Sequence, residues 1–174
     1  MTPAHSVIVP PARWLASDTP PQVRQVIVRA LADIGICEMP EGSNRSGVID
    51  GYNTRAGAAL GSYWCASALA CWAWDCGLWA PPRGRAPSCD EWVRHAKLAG
   101  RWHDSPLPGR AVIYHAAGNP SDANHCGLVV RALPVLLSVE GNTTVGGTQV
   151  ERNGYAVALK RVNTSRVLGY VELA

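Results

Sequence analysis

Phenylalanine is absent from this chain of 174 residues, and lysine occurs only at Lys97 and Lys160. That bias carries no chemistry, but other absences exclude more. There is no run of Lys or Arg and the net charge is only +3, so nothing points to a nucleic-acid partner. The mild basic excess suits an anionic cell wall. No apolar stretch approaches the length of a transmembrane helix, so stable membrane insertion is not expected. The six cysteines include no C-x-x-C pair, which argues against a zinc ribbon or finger. No Asp-x-Asp cluster precedes Cys65, and neither an internal repeat nor a low-complexity segment is visible. The first residues, MTPAHSVIVPPARW, lack a basic start, and Pro10 and Pro11 break their apolar run. They do not read as a signal peptide. Free thiols are then the default state of the cysteines.

The 47% hydrophobic content and the length suit one domain with a sizeable core. Residues 1–20 read as a proline-rich arm, and residues 21–174 as a single domain. Pro20 and Pro21 open a helix expected to reach about residue 34, with Val23, Val26, Ile27, Ala30, Leu31 and Ile34 on one face. A short helix is expected over residues 48–56. Ser88 followed by Glu91 is a capping-box signature that predicts a helix over residues 89–98. Strands are predicted over residues 111–115, 126–132, 135–139, 156–162 and 167–173. Helices first and strands after argue an α+β fold, with amino-terminal helices packed on a central antiparallel sheet.

The segment GSYWCASALACWAWDCG places Cys65 at the first turn of a helix that should stop at Gly77. There the unpaired N–H groups and the positive end of the macrodipole favour thiolate, the nucleophilic form of cysteine. A nucleophile needs a base, and the base an orienting partner. NHCGLVV supplies His125 on a strand, with Gly127 and Val129 on its face and Cys126, Leu128 and Val130 on the other. Gly127 would let the helix that carries Cys65 approach closely. After the apolar run from Val135, Glu140 could hold the other imidazole nitrogen, while Gly141 and Asn142 turn the chain and Asn142 adds a second hydrogen bond.

This order of Cys65, His125 and Glu140-x-Asn142 resembles the CHAP domain, the cysteine- and histidine-dependent amidohydrolase/peptidase of the papain-like superfamily. EMPEGSNRSGVIDGY before the Trp-Cys-Ala helix, the Pro108-Gly109 step and the His-x-Gly strand strengthen the likeness to its phage and bacterial branch. The likeness runs from about Gln22 to Tyr170. It implies a papain-like fold, Cys65 as nucleophile, His125 as general base and acid, Glu140 as orienter and Asn142 as support. It also implies a substrate, the peptide part of bacterial peptidoglycan, with no cofactor and a monomeric enzyme. Many such domains carry a polar residue, often glutamine, where this chain has Trp64. Trp64 is therefore assigned to the substrate groove, with Asn44, Tyr52 and Tyr63 as candidates for the second oxyanion donor. The acidic calcium loop of some members has no counterpart, so no metal is expected. A wall hydrolase without a signal peptide would wait in the host cytoplasm, as a phage endolysin does until a holin opens the membrane, or leave as an exported antibacterial toxin.

Other readings remain open at this point. His115, at a strand end, is the rival base. Cys71, Cys76 and Cys126 read as small core residues, and zinc held by Cys65, His125 and another cysteine is a further alternative. A wall-binding module that keeps the fold without cleaving is the alternative of another class. Within the hydrolase reading, no residue separates N-acetylmuramoyl-L-alanine amidase from peptide endopeptidase.

Overall fold

The computed structural model describes Leu15, residues 17–146, Val150 and residues 153–174. Most of the expected amino-terminal arm lies outside the described residues. Among the described residues, four α-helices precede the sheet: α1 (Pro21–Leu31), α2 (Gly47–Ala56), α3 (Cys65–Asp75) and α4 (Cys89–Leu98). Six strands follow: β1 (Trp102–His103), β2 (Ala111–Ala116), β3 (Asn119–Arg131), β4 (Leu137–Thr143), β5 (Ala156–Arg161) and β6 (Val167–Val171). They form one antiparallel sheet in the order β1-β6-β2-β3-β4-β5. The α+β expectation holds.

The helix starts follow local chemistry. The Ser88 hydroxyl accepts from the Glu91 N–H and Ser46 does the same for Ile49, so α4 and α2 begin where a side chain satisfies an orphan donor. Pro21 opens α1, which ends three residues earlier than expected because its last apolar residue, Ile34, lies in the turn that follows. Gly77, at φ 67°, takes the left-handed conformation just beyond α3.

Strand alternation splits the core in two. Ala111, Ile113, Cys126, Leu128, Val130 and Val139 pack against the helices, while Val112, Tyr114, Val129 and Tyr170 form a smaller cluster on the opposite face. Ile27, Leu31 and Leu69 are fully buried in the helix layer, each contributing roughly 1.5–3 kcal/mol.

Among the strands, two departures from expectation bear on the candidate site residues. Strand β3 begins at Asn119 rather than beside His125, because it continues as the second arm of a hairpin with β2. Strand β4 does not end at Glu140. Gly141 and Asn142 lie inside it, at an irregularity between Glu140 and Thr143 where Asn142 takes φ 53°. The chain bulges there instead of turning.

Candidate active site

Cys65 is the first residue of α3, buried at 5% exposure, with Trp64 preceding the helix. His125 is fully buried in β3 opposite Tyr114 in β2, and the two rings stack with centroids 5.8 Å apart. Its Nε2 lies 3.0 Å from Glu140 Oε2. The other carboxylate oxygen, Oε1, accepts from the Tyr114 hydroxyl at 2.7 Å and the Ser138 hydroxyl at 2.6 Å. With Nε2 committed to the carboxylate, Nδ1 is the buried ring nitrogen left without a hydrogen-bond partner. Cys65 and His125 stand close enough for each to shift the other's proton affinity.

The electrostatics follow. Burial opposes charge on His125, but the Cys65 sulfur and then Glu140, through hydrogen bonds and charge, raise its pKa from 6.5 to about 10. Burial likewise opposes charge on Glu140, yet His125, Ser138 and Tyr114 hold its carboxyl below the usual range. Hydrogen bonds from Cys126 and Cys89, against burial, and then His125 pull the Cys65 thiol well below its ordinary value. A thiolate beside an imidazolium is the state these partners favour.

Gly127 makes room for a different group than expected. A Cβ there would lie 2.5 Å from Glu140 Cγ, so this glycine admits the carboxylate beside the imidazole. The helix makes its close approach at Gly141 instead, where a Cβ would meet the Trp64 ring at 2.8 Å and the Ala68 Cβ at 3.2 Å.

Asn142 donates to Asn44 Oδ1 at 3.2 Å and does not reach the imidazole, since the bulge turns it away from Glu140. The Asn44 backbone N–H is bound by Glu38 Oε2 at 3.0 Å. Trp64 is fully buried rather than in a groove: its indole N–H donates to Glu38 Oε1 at 3.0 Å, and its ring stacks on Tyr52 at 6.3 Å. Glu38 thus fixes the residue before Cys65. The Tyr52 hydroxyl donates to Asp33, which turns it away from an oxyanion role. Of the four substrate-binding candidates only Tyr63 lines the pocket at Cys65, a hollow of about 390 Å³ that also touches Ser62, Cys89, Asp90, Asp122 and Asn124. A larger hollow of about 610 Å³, lined by Val23, Leu107 and Leu173, contains neither a thiol nor an imidazole. His115 is engaged elsewhere, with its ring nitrogens against the Ala116 and Ser165 carbonyls.

Sequence reasoning missed Glu38, Tyr114 and Ser138. Ser138 stood two residues before Glu140, where strand alternation puts both on one face, but nothing marked it as a partner. It also left Cys89 unassigned and placed Cys126 in the core as an inert residue. Cys126 does pack there, but with its sulfur within 4.8 Å of those of Cys65 and Cys89. No protein-family model, curated protein or solved structure matches the chain. Among the described residues, no helix is long and apolar enough to cross a membrane.

Proposed function

We propose that the chain is a cysteine hydrolase of the papain-like type that cuts an amide bond in the peptide part of bacterial peptidoglycan, as the resemblance to CHAP domains implies. One observation carries the reading. A buried imidazole, bound to a buried carboxylate through Nε2, leaves its second nitrogen without a hydrogen-bond partner, and a thiol at a helix start is near enough to raise its pKa.

In this mechanism the Cys65 thiolate attacks the scissile carbonyl. The oxyanion meets backbone N–H groups at the start of α3, which have no intrahelical acceptor. Tyr63 or Ser62, both lining the pocket, supplies the side-chain donor. The His125 imidazolium protonates the departing amine through Nδ1, leaving a thioester on Cys65. Neutral His125 then takes a proton from water, which attacks the thioester, releases the new carboxylate and restores the thiolate–imidazolium pair. Glu140 holds the ring in this tautomer and stabilises its cation. The phage-type likeness extends the proposal to an endolysin, acting as a monomer and held in the host cytoplasm until a passage to the wall opens.

The test is turnover of purified peptidoglycan, with mass spectrometry of the released fragments. Wild type should either separate sugar strands from whole stem peptides or cut within the peptides, which distinguishes amidase from endopeptidase. Cys65→Ala, with an unchanged circular dichroism spectrum, should lose about 10⁴-fold or more. Absence of turnover by wild type, or comparable turnover by the variant, would overturn the reading.

A further inference from the structure

Three of the six cysteines converge from three different elements. The sulfurs of Cys65, Cys89 and Cys126 all lie within 4.8 Å of one another, and all three residues are buried. Small apolar packing does not require this, because a sulfur beside aliphatic carbon fills space as well as one beside two other sulfurs. Cys65 and Cys89 are each the first residue of a helix, α3 and α4, and Cys126 rises from β3 beneath them. Two helix N-termini, each favouring an anionic sulfur, therefore point at one sulfur triangle.

Cys65 and Cys89 line the hollow beside the site, whereas Cys126, fully buried, is not part of its lining. The same lining carries two carboxylates, Asp90 and Asp122, which draw cations toward the sulfurs. Asn124 also lines it, and its Oδ1 is buried without a hydrogen-bond partner.

We propose that this sulfur triangle is a binding site for a thiophilic d¹⁰ cation, Zn²⁺ in its divalent form, and that the bound cation withdraws Cys65 from catalysis. The inhibition rests on the hydrolase reading, whereas the binding does not. Thiolates at about 2.3 Å from a tetrahedral zinc stand roughly 3.8 Å from each other, so side-chain adjustments of about 1 Å close the triangle. Soft thiolate ligands select zinc or cuprous ion over hard cations. A fourth position faces the hollow, where a water can donate to Asn124 Oδ1. Binding replaces the thiol protons of Cys89 and Cys126 with the metal and releases them to solvent, so affinity rises with pH. The cation takes up the sulfur lone pair that would attack the carbonyl.

The experiment uses the full chain, reduced with a phosphine and freed of metal. Cobalt(II) titration should saturate at one equivalent with thiolate-to-metal charge-transfer absorption that Zn²⁺ abolishes. Cys89→Ser and Cys126→Ser should each weaken binding at least about tenfold, while Cys37→Ser, at an exposed site, leaves it unchanged. A second measurement needs no variant. With free Zn²⁺ at ten times its Kd, alkylation of Cys65, Cys89 and Cys126 in wild type should slow by about tenfold, and that of Cys37 should not.

Peptidoglycan turnover should fall in step with occupancy and return on chelation. Lack of charge-transfer absorption, absorption that persists in both serine variants, or unprotected thiols would overturn the proposal. Full turnover at saturating Zn²⁺, or turnover lost on chelation, would overturn the inhibitory role. Metal binding by a metal-free protein that never cleaves the wall would uphold the site and remove the hydrolase reading instead.

Discussion

Two buried carboxylates in this molecule are built alike, and the difference that matters is the cation each is paired with. Asp33 accepts from the Tyr52 hydroxyl and from the Trp72 indole N–H at 2.7 Å, and pairs with Arg29 at 2.6 Å. Glu140 accepts from the Tyr114 and Ser138 hydroxyls and pairs with His125. Each burden of desolvation is met by a tyrosine, a second donor and a cation. Around Asp33 the cation is a guanidinium, which burial works to discharge but which Asp33 and Asp75 together hold above its ordinary pKa, so no proton moves there near neutral pH. Around Glu140 the cation is an imidazole that can pass a proton on. The first cluster ties α1, α2 and α3 together. The second holds a group that can exchange a proton, as the proposed hydrolysis requires, and the choice of arginine or histidine marks the division.

The largest break in this symmetry should come from neutralising each carboxylate. Glu140→Gln keeps an acceptor for the ring but loses the charge that stabilises its cation, and wall turnover should fall about a hundredfold or more. Thermal stability should change less than turnover. Asp33→Asn leaves the Arg29 guanidinium without its nearest carboxylate and weakens the Tyr52 and Trp72 bonds, so it should cost about 1–3 kcal/mol of stability. Turnover per folded molecule should stay nearly unchanged. Paired melting curves and turnover assays read both. Equal losses of activity in the two variants would erase the distinction between them.

A smaller effect is read in the charge of the pair. Cys65 is held below the ordinary thiol range, and His125 stays protonated up to about 10. Thiolate and imidazolium therefore coexist from the lowered Cys65 pKa up to about pH 10. Iodoacetamide alkylation of Cys65, followed by peptide mass spectrometry in the presence of a chelator, should rise well below the pH at which a free thiol reacts. Cys126→Ala and His125→Ala each remove a group that stabilises the thiolate, and each should move the step upward. For His125→Ala the shift should exceed about one pH unit. Cys71→Ala should leave it in place, since the Cys71 sulfur lies against the Tyr52 carbonyl, apart from the Cys65, Cys89 and Cys126 cluster. A wild-type profile like that of a free thiol would mean that the pair is not formed in the resting protein.

What could be read from the sequence was whatever local chemistry decides. Ser88 with Glu91 marked the start of α4, and the alternation of Cys126, Leu128 and Val130 against His125 and Val129 survived intact. The Cys65, His125 and Glu140 set was legible because each residue sat at the end or start of an apolar run. What escaped was decided by contacts between elements. Gly141-Asn142 looks like a turn, but Gly141 is needed because the Trp64 ring fills the space of its missing side chain. Trp64 looked like a groove residue from its place beside Cys65. Glu38, far away in the chain, captures its N–H and draws it inside. The convergence of Cys89 and Cys126 on Cys65 is of the same kind, because two helix starts and a strand meet only in the fold.

The finest distinction lies between the two tyrosines. Tyr114 and Tyr52 each donate one hydroxyl to a buried carboxylate, and burial with the adjacent negative charge keeps both phenols protonated far into the alkaline range. Tyr114→Phe removes one of the three groups that hold Glu140 ionised, leaving Ser138 and His125. Its carboxyl pKa should rise and its hold on the imidazolium slacken. A hydrogen bond to an ionised carboxylate is worth about 1.5–3 kcal/mol, and part of that loss passes to the imidazolium, so turnover should fall about tenfold. The imidazolium should lose its proton at lower pH, bringing down the alkaline limb of the turnover profile. Tyr52→Phe removes an equivalent bond at Asp33 and should cost similar stability without moving either limb. Turnover against pH in the two variants, normalised to folded protein, separates a hydroxyl that tunes a proton carrier from one that only packs a core. A displacement of the alkaline limb by Tyr52→Phe, or none by Tyr114→Phe, would show that the two clusters do not divide in this way.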